Sequence, residues 1–223
     1  MKILLPIDGS EHSRAAVDFV ASRTTLIGTD PHVDVLNVQL SVPARAARAV
    51  GKALVHSYHE EESDKILKPA LQQLAKAGVE ADLHLRVGHP AEEISAAAEK
   101  FKSDLVVMGS HGRTDLKGLL FGSVTNNVMA RSQIPLLLIR SKGAPSKDSL
   151  KVAIAVDGSR YGREAVKYAL RHFDLFGAKP SLTLVHVAAD FAGSVMPDMA
   201  GLALPAFSEA EVVALQKKVF EAA

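Results

Sequence analysis

The sequence predicts an α/β protein: an open, doubly wound parallel sheet with helices on both faces, followed by an incomplete second copy of the same unit. Short β-rich runs alternate with amphipathic stretches along the first 140 residues. Runs such as "LVVM" and "PLLLI" are almost continuously apolar, as strands covered on both faces are. The opening of the chain also returns later, shifted by 149 positions.

The elements follow in the order β-α-β-α-β-α-β-α-β. "KILLPID" reads as the first strand, and Ser10 is placed to cap the helix "SEHSRAAVDFVASR". "HVDVLNVQ" is the second strand. Residues 44 to 77 read as helical, but Pro69 would cost about 3 kcal/mol in a regular helix interior, so a kink or break is expected there. "EADLHLRV" is the third strand, and Pro90 sits where a first-turn proline is tolerated, opening the helix "PAEEISAAAEKF". "DLVVMGS" is the fourth strand. Ser123 stands as a capping serine before the helix "SVTNNVMARS", and "IPLLLIR" closes the sheet as an edge strand. Right-handed crossovers between parallel strands then place helices on both faces.

In the repeat, "KILLPIDGSEHSRAAV" falls on "KVAIAVDGSRYGREAV", Pro31 on Pro180 and "VLNV" on "LVHV". The small, polar "SKGAPSKDS" between the copies reads as a linker. A complete domain over 1-143 and the N-terminal half of a second over 150-223 are expected. Ala223 corresponds to Leu74, and nothing matches residues 75 to 141, which reads as a truncated second domain. Its later part holds an apolar loop around Met196 and Met199, then a helix opened by the capping box Ser208 to Glu211.

Composition narrows the function. With 223 residues and 48% hydrophobic content there is ample material for a packed core. A formal net charge of +1 gives no whole-protein field for a nucleic acid backbone or an anionic membrane, so neither is an expected partner. The absence of cysteine excludes disulfides and thiolate chemistry and fits a reducing compartment. "MKILLPIDGS" is too short an apolar run for a signal peptide, and cytoplasmic localisation is the expectation.

The chemistry is expected in "MGSHGRTDLKGLLFGSV", residues 108 to 124, directly after the fourth strand. Ligands of open parallel sheets bind at the carboxyl ends of the strands. Gly109 and Gly112 permit close approach of an anion, and Gly122 removes a side chain that would block it. A helix start at Ser123 adds unpaired amides and the positive end of a helix dipole, and Arg113 and Lys117 add charge. Neither the Walker A loop nor the G-x-G-x-x-G fingerprint occurs.

On Gly109, Gly112, Gly122 and Ser123, which fit G-x2-G-x9-G-[ST], and on "PIDGS" and "GHPAEEI", the chain resembles the universal stress protein family, UspA-like and of the nucleotide-binding subgroup. The resemblance implies an adenine nucleotide alpha hydrolase-like, Rossmann-like sheet in the order 3-2-1-4-5, with ATP across its carboxyl edge. It implies Pro6 and Asp8 by the ribose, the Val38 backbone by the adenine, Gly109 near the sugar with Met108 beside it, and Gly112, Arg113, Gly122, Ser123 and Val124 around the phosphates. Asp115 departs from the family's usual glycine and puts a negative charge in the loop.

Simpler roles stand beside these. Asp8 can cap the turn with Ser10, as the recurrence of "DGS" at Asp157 suggests. His111 has no partner carboxylate at a recognisable spacing and is expected as a surface or phosphate-neighbouring histidine. His56, His59 and Glu60 lack the HExxH pattern and are expected on a solvated face. No catalytic residue is assigned. The expected function is a tandem, ATP-binding regulatory module of the stress response, with or without Mg2+ or Mn2+, and with at most slow turnover. The alternatives are a slow ATP hydrolase or nucleotidyl transferase using His111 or Asp8, and a nucleotide-free dimerising module. An exposed apolar edge invites pairing, so a homodimer through residues 134-140 is expected.

Overall fold

The computed structural model describes residues 1–22, 32–112, 121–140, 149–177 and 179–187. The chain divides into two compact units, Met1–Lys147 and Asp148–Ala223. In the first, β1 (Lys2–Pro6), β2 (His32–Gln39), β3 (Ala81–Val87), β4 (Leu105–Gly109) and β5 (Leu136–Ile139) form one sheet in the order β3-β2-β1-β4-β5. Every neighbouring pair is parallel. This is the predicted doubly wound sheet in the 3-2-1-4-5 order, with β5 at one edge.

Helices α1 (Glu11–Ala21) and α3 (Lys52–Lys76) cover one face, and α4 (Pro90–Phe101) and α5 (Ser123–Arg131) cover the other. Strand alternation divides the apolar side chains between the faces. Leu4, Leu36, Val106 and Met108 pack with Ala91, Ile94, Ala97 and Ala98 of α4 and Val128 of α5. Ile3, Leu5, Val33, Val35, Leu105 and Val107 alternate with them in sequence and are also buried, as are Val17 and Val20 of α1 and Leu67 and Leu74 of α3. Each fully buried leucine or valine contributes about 1.5–3 kcal/mol relative to exposure.

Two local expectations are met. Ser10 caps α1, its hydroxyl accepting from the Ser13 amide at 3.1 Å. Pro90 begins α4. Two others are corrected. No break falls at Pro69, where α3 is continuous, because Leu67, Ala70 and Leu74 bury its inner face and packing outweighs the missing hydrogen bond. The break falls instead at Gly51, whose φ of 87° separates α2 (Ala44–Val50) from α3. Ser123 is the first residue of α5 and not its cap. Gly122 holds the extended cap conformation, without a side-chain hydrogen bond.

In the second unit, β6 (Lys151–Val156), α6 (Arg160–Arg171) and β7 (Ser181–His186) form a parallel crossover, with a short 3-10 turn at Phe173–Phe176. Its detail follows that of β1-α1-β2. Lys2 pairs with His32, and Lys151 with Ser181. Gly9 and Gly158 have φ of 80° and 78°. The Asn37 side chain donates to the Ile7 carbonyl at 2.8 Å, and at the equivalent positions His186 Nδ1 meets the Val156 carbonyl at 2.9 Å. The apolar loop around Met196 and Met199 and the Ser208 to Glu211 capping box lie outside the described residues.

Candidate functional site

A cavity of about 340 Å³ opens at the carboxyl ends of β1, β2 and β4. Pro6, Ile7, Leu36, Val38, Leu40, Pro90 and Met108 give it an apolar wall. Asp8, Ser13, Gly109, His111, Gly112, Gly122, Ser123, Val124 and Thr125 line the rest. Nine of the ten predicted site residues therefore meet around one space. The tenth, Arg113, lies outside the described residues, as do Asp115 and Lys117.

The β1–α1 turn positions Asp8. Its Oδ1 accepts the Ser10 amide at 3.0 Å, and Gly9 supplies the left-handed residue the turn requires. The same arrangement recurs at Asp157, whose Oδ1 accepts the Ser159 amide at 2.9 Å. Asp157's carboxyl is held below its usual range, first by its side-chain hydrogen bond with Ser159 and then by the Ser159 amide. Asp8 thus has the capping role. Its other oxygen faces the glycine loop, where a Cβ on Gly112 would come within 2.9 Å of Asp8 Oδ2.

The loop glycines serve distinct ends. A Cβ on Gly109 would lie 2.7 Å from the His12 carbonyl carbon, 2.8 Å from His12 Cβ and 2.9 Å from the Ser13 amide nitrogen. Gly109 therefore lets α1 pack on the end of β4, a purpose the sequence reading did not assign to it. A Cβ on Gly122 would lie 3.2 Å from His111 Cα and 3.5 Å from the Gly112 nitrogen, so Gly122 lets the two ends of the loop pass closely. The Gly122 amide also donates to the Ser110 carbonyl at 2.9 Å.

Thr125 Oγ1 donates to the Gly109 carbonyl at 3.2 Å and ties the first turn of α5 to the end of β4. The first amides of a helix have no partner inside it. Among the described residues no side-chain cap takes those of α5, and Ser123, Val124 and Thr125 line the cavity. The positive end of the helix dipole thus faces the cavity, an arrangement suited to an anion.

His111 is buried beside the cavity and is not a surface residue. Its Nδ1 lies 3.2 Å from Ser110 Oγ, and its ring tilts against His12 with centroids 5.1 Å apart. In α3, His56 and Glu60 form an exposed pair at 3.0 Å, but His59 is buried and leaves the expected solvated face. Among the described residues, Asp8 is the only carboxylate lining the cavity. Sequence reasoning missed Ile7, Ser13, Leu36, Leu40, Pro90 and Thr125 as lining residues. Period-two alternation from Val38 would have found Leu36 and Leu40.

The sheet order and the crevice at its carboxyl edge define the class: an open α/β protein of the adenine nucleotide alpha hydrolase-like type. Residues 1–140 match the sequence profile of the Universal stress protein family, and the chain belongs to that family. Universal stress protein MJ0577 of Methanocaldococcus jannaschii is 32% identical over 157 residues, 64% of this chain and 96% of that protein. Universal stress protein YxiE of Bacillus subtilis is 30% identical over 147 residues, 62% of this chain and 98% of that protein. A solved structure of MJ0577 superimposes with a TM-score of 0.56 at 33% identity, over 62% of this chain and 94% of that one. A universal stress protein from Archaeoglobus fulgidus shares the fold over 99% of this chain and 74% of its own, with a TM-score of 0.66 at 22% identity. Among the described residues no helix is long and apolar enough to cross a membrane.

Proposed function

We propose that the first unit binds ATP in the carboxyl-edge cavity and acts as a nucleotide-dependent regulatory module in the stress response. The carrying observation is the start of α5, which has no side-chain cap among the described residues and whose first residues line the cavity opposite an apolar wall. Membership of the universal stress protein family supports the same reading. Pro6, Val38 and Met108 would hold the base and sugar, with Asp8 and Gly109 beside the ribose. Gly112, Gly122, Ser123 and Val124, with Arg113, would surround the phosphates. Among the described residues a single carboxylate lines the cavity, a sparse protein shell for Mg2+ or Mn2+, and such a cation would draw ligands from the phosphates. The test is to denature freshly purified protein and assay the released small molecules for adenine nucleotide. Absence of nucleotide, together with no binding of added ATP, would reject the proposal.

The burial of His111 at the cavity supports a second reading, slow hydrolysis or nucleotidyl transfer with His111 or Asp8 acting on a bound water. Steady-state turnover lost in His111→Ala would favour it, and tight retention with negligible turnover would favour the regulatory module.

We further propose a complete domain over 1-143 and the start of a second copy over 150-223, on the shared register and hydrogen bonds of β1-α1-β2 and β6-α6-β7. Assembly is proposed through β5. It lies at the sheet edge with Leu136, Leu137 and Leu138 half-buried, a surface suited to pairing with a second copy. Sedimentation is expected to give a homodimer joined through residues 134-140. A charge introduced by Leu137→Lys is expected to yield monomers, and monomeric behaviour of the unaltered chain would reject this interface.

A further inference from the structure

A second cluster of polar groups lies at the other end of the sheet, where β2 and β3 begin. Asp34 and Asp82 are register partners on adjacent strands, and period two puts His32 on the Asp34 face of β2. Like charges directly opposite one another destabilise a sheet. The Asp34 side chain is only 4% exposed, which makes an uncompensated charge there still less favourable.

His32 Nε2 lies 3.4 Å from Asp34 Oδ2 and 3.6 Å from Asp82 Oδ2. One donor atom from each of the three residues falls within 4.8 Å of the others. Asp34 Oδ1 accepts from His84 Nε2 at 2.7 Å, whereas buried Asp34 Oδ2 has no hydrogen-bond partner. A buried carboxylate oxygen that has no hydrogen bond among the described residues, and only the longer ion-pair contact with an exposed imidazole, is costly, and its lone pairs are open to a cation. Four ligands at the usual zinc distances of about 2.0–2.1 Å stand roughly 3.3–3.4 Å apart in a tetrahedron. The His32 spacings come close to that edge.

We propose that His32 Nε2, Asp34 Oδ2 and Asp82 Oδ2 form a site for a divalent transition-metal ion, with Zn2+ the best match and water completing the tetrahedron. One imidazole and two carboxylates suit such an ion better than Mg2+ or Ca2+, which prefer shells of oxygen alone. His84 is a positioning residue: its hydrogen bond turns Asp34 so that Oδ2 faces the other two donors. The His84 ring is itself held against Phe101 at the end of α4, with centroids 4.5 Å apart. The ion clips the starts of β2 and β3 together, at the end of the sheet away from the carboxyl-edge cavity.

The test uses the full chain, free of any affinity tag and stripped with chelator, titrated with Zn2+ by calorimetry and with Co2+ by visible absorption. Saturable binding of one ion per chain, a tetrahedral Co2+ spectrum and a higher unfolding temperature with Zn2+ are expected. Asp82→Asn and His32→Gln are each expected to weaken Zn2+ binding by about tenfold or more. Both side chains are at least half exposed, at 66% and 50%, so neither substitution opens a cavity, and Asp82→Asn, which removes the like charge opposite Asp34, should not lower the metal-free unfolding temperature. His56→Gln, on a separate exposed pair, should leave the affinity intact. No saturable binding, an affinity undiminished in both site variants, or an affinity lost with His56→Gln would overturn the assignment.

Discussion

ATP at 100 times its dissociation constant is expected to raise the stability of the first unit by about 2.7 kcal/mol, and Gly122→Val is expected to abolish the increment. The gain follows from a ligand that binds the folded unit alone. The loss follows from where the new atoms would go. A Cβ on residue 122 already meets His111 Cα at 3.2 Å and the Gly112 nitrogen at 3.5 Å, and valine adds two methyl groups to that crowding. The neighbouring atoms are main chain just beyond the end of β4, so residue 122 must move away from them and carry the amides of Ser123 and Val124 with it. Gly122 has an ordinary φ of −70°, so the substitution introduces crowding without a forbidden backbone. Chemical unfolding with and without ATP, followed on the first unit's transition, reads both effects. A full increment in the variant would show that the turn is not the phosphate cradle.

Gly109→Val is expected to destabilise the first unit by about 3 kcal/mol or more, whether or not nucleotide is present. The added Cβ would stand 2.7–2.9 Å from three atoms at the start of α1, two of them backbone, and none is the free end of a flexible side chain. Relief requires α1 to move off β4, which lies inside the sheet between β1 and β5. Since the first carbon already makes the clash, Gly109→Ala should show most of the loss. Urea midpoints of the ligand-free proteins measure it. An alanine variant that keeps its stability while losing ATP affinity would return Gly109 to the ligand and refute the packing role.

These two glycines mark how far the sequence was legible. Strands and their alternation with helices could be read because runs such as "LVVM" are apolar on both faces, and only a strand buried between two helical layers needs that. The site was legible as a cluster because Gly109, Gly112, Gly122 and Ser123 share one short stretch next to a strand end. The purpose of each glycine was not, since Gly109 answers to His12 and Ser13, residues nearly a hundred positions away. Pro69 does not break the helix because local propensity is only a weak influence: the buried face through Leu67, Ala70 and Leu74 keeps α3 continuous, and the break comes at Gly51. His32, Asp34 and Asp82 went unread because their meeting depends on the register between β2 and β3, although His-x-Asp in one strand and Asp-x-His in the next were visible in the letters.

The matching turns at Asp8 and Asp157 give this molecule its own experimental reference. Both carboxylates bind the amide two residues on, behind a glycine of nearly equal φ, yet only the first borders the carboxyl-edge cavity. Whatever Asp157→Asn removes from the second unit measures a bare capped bend. Any surplus lost with Asp8→Asn, compared side by side in one polypeptide, isolates what proximity to a bound guest adds.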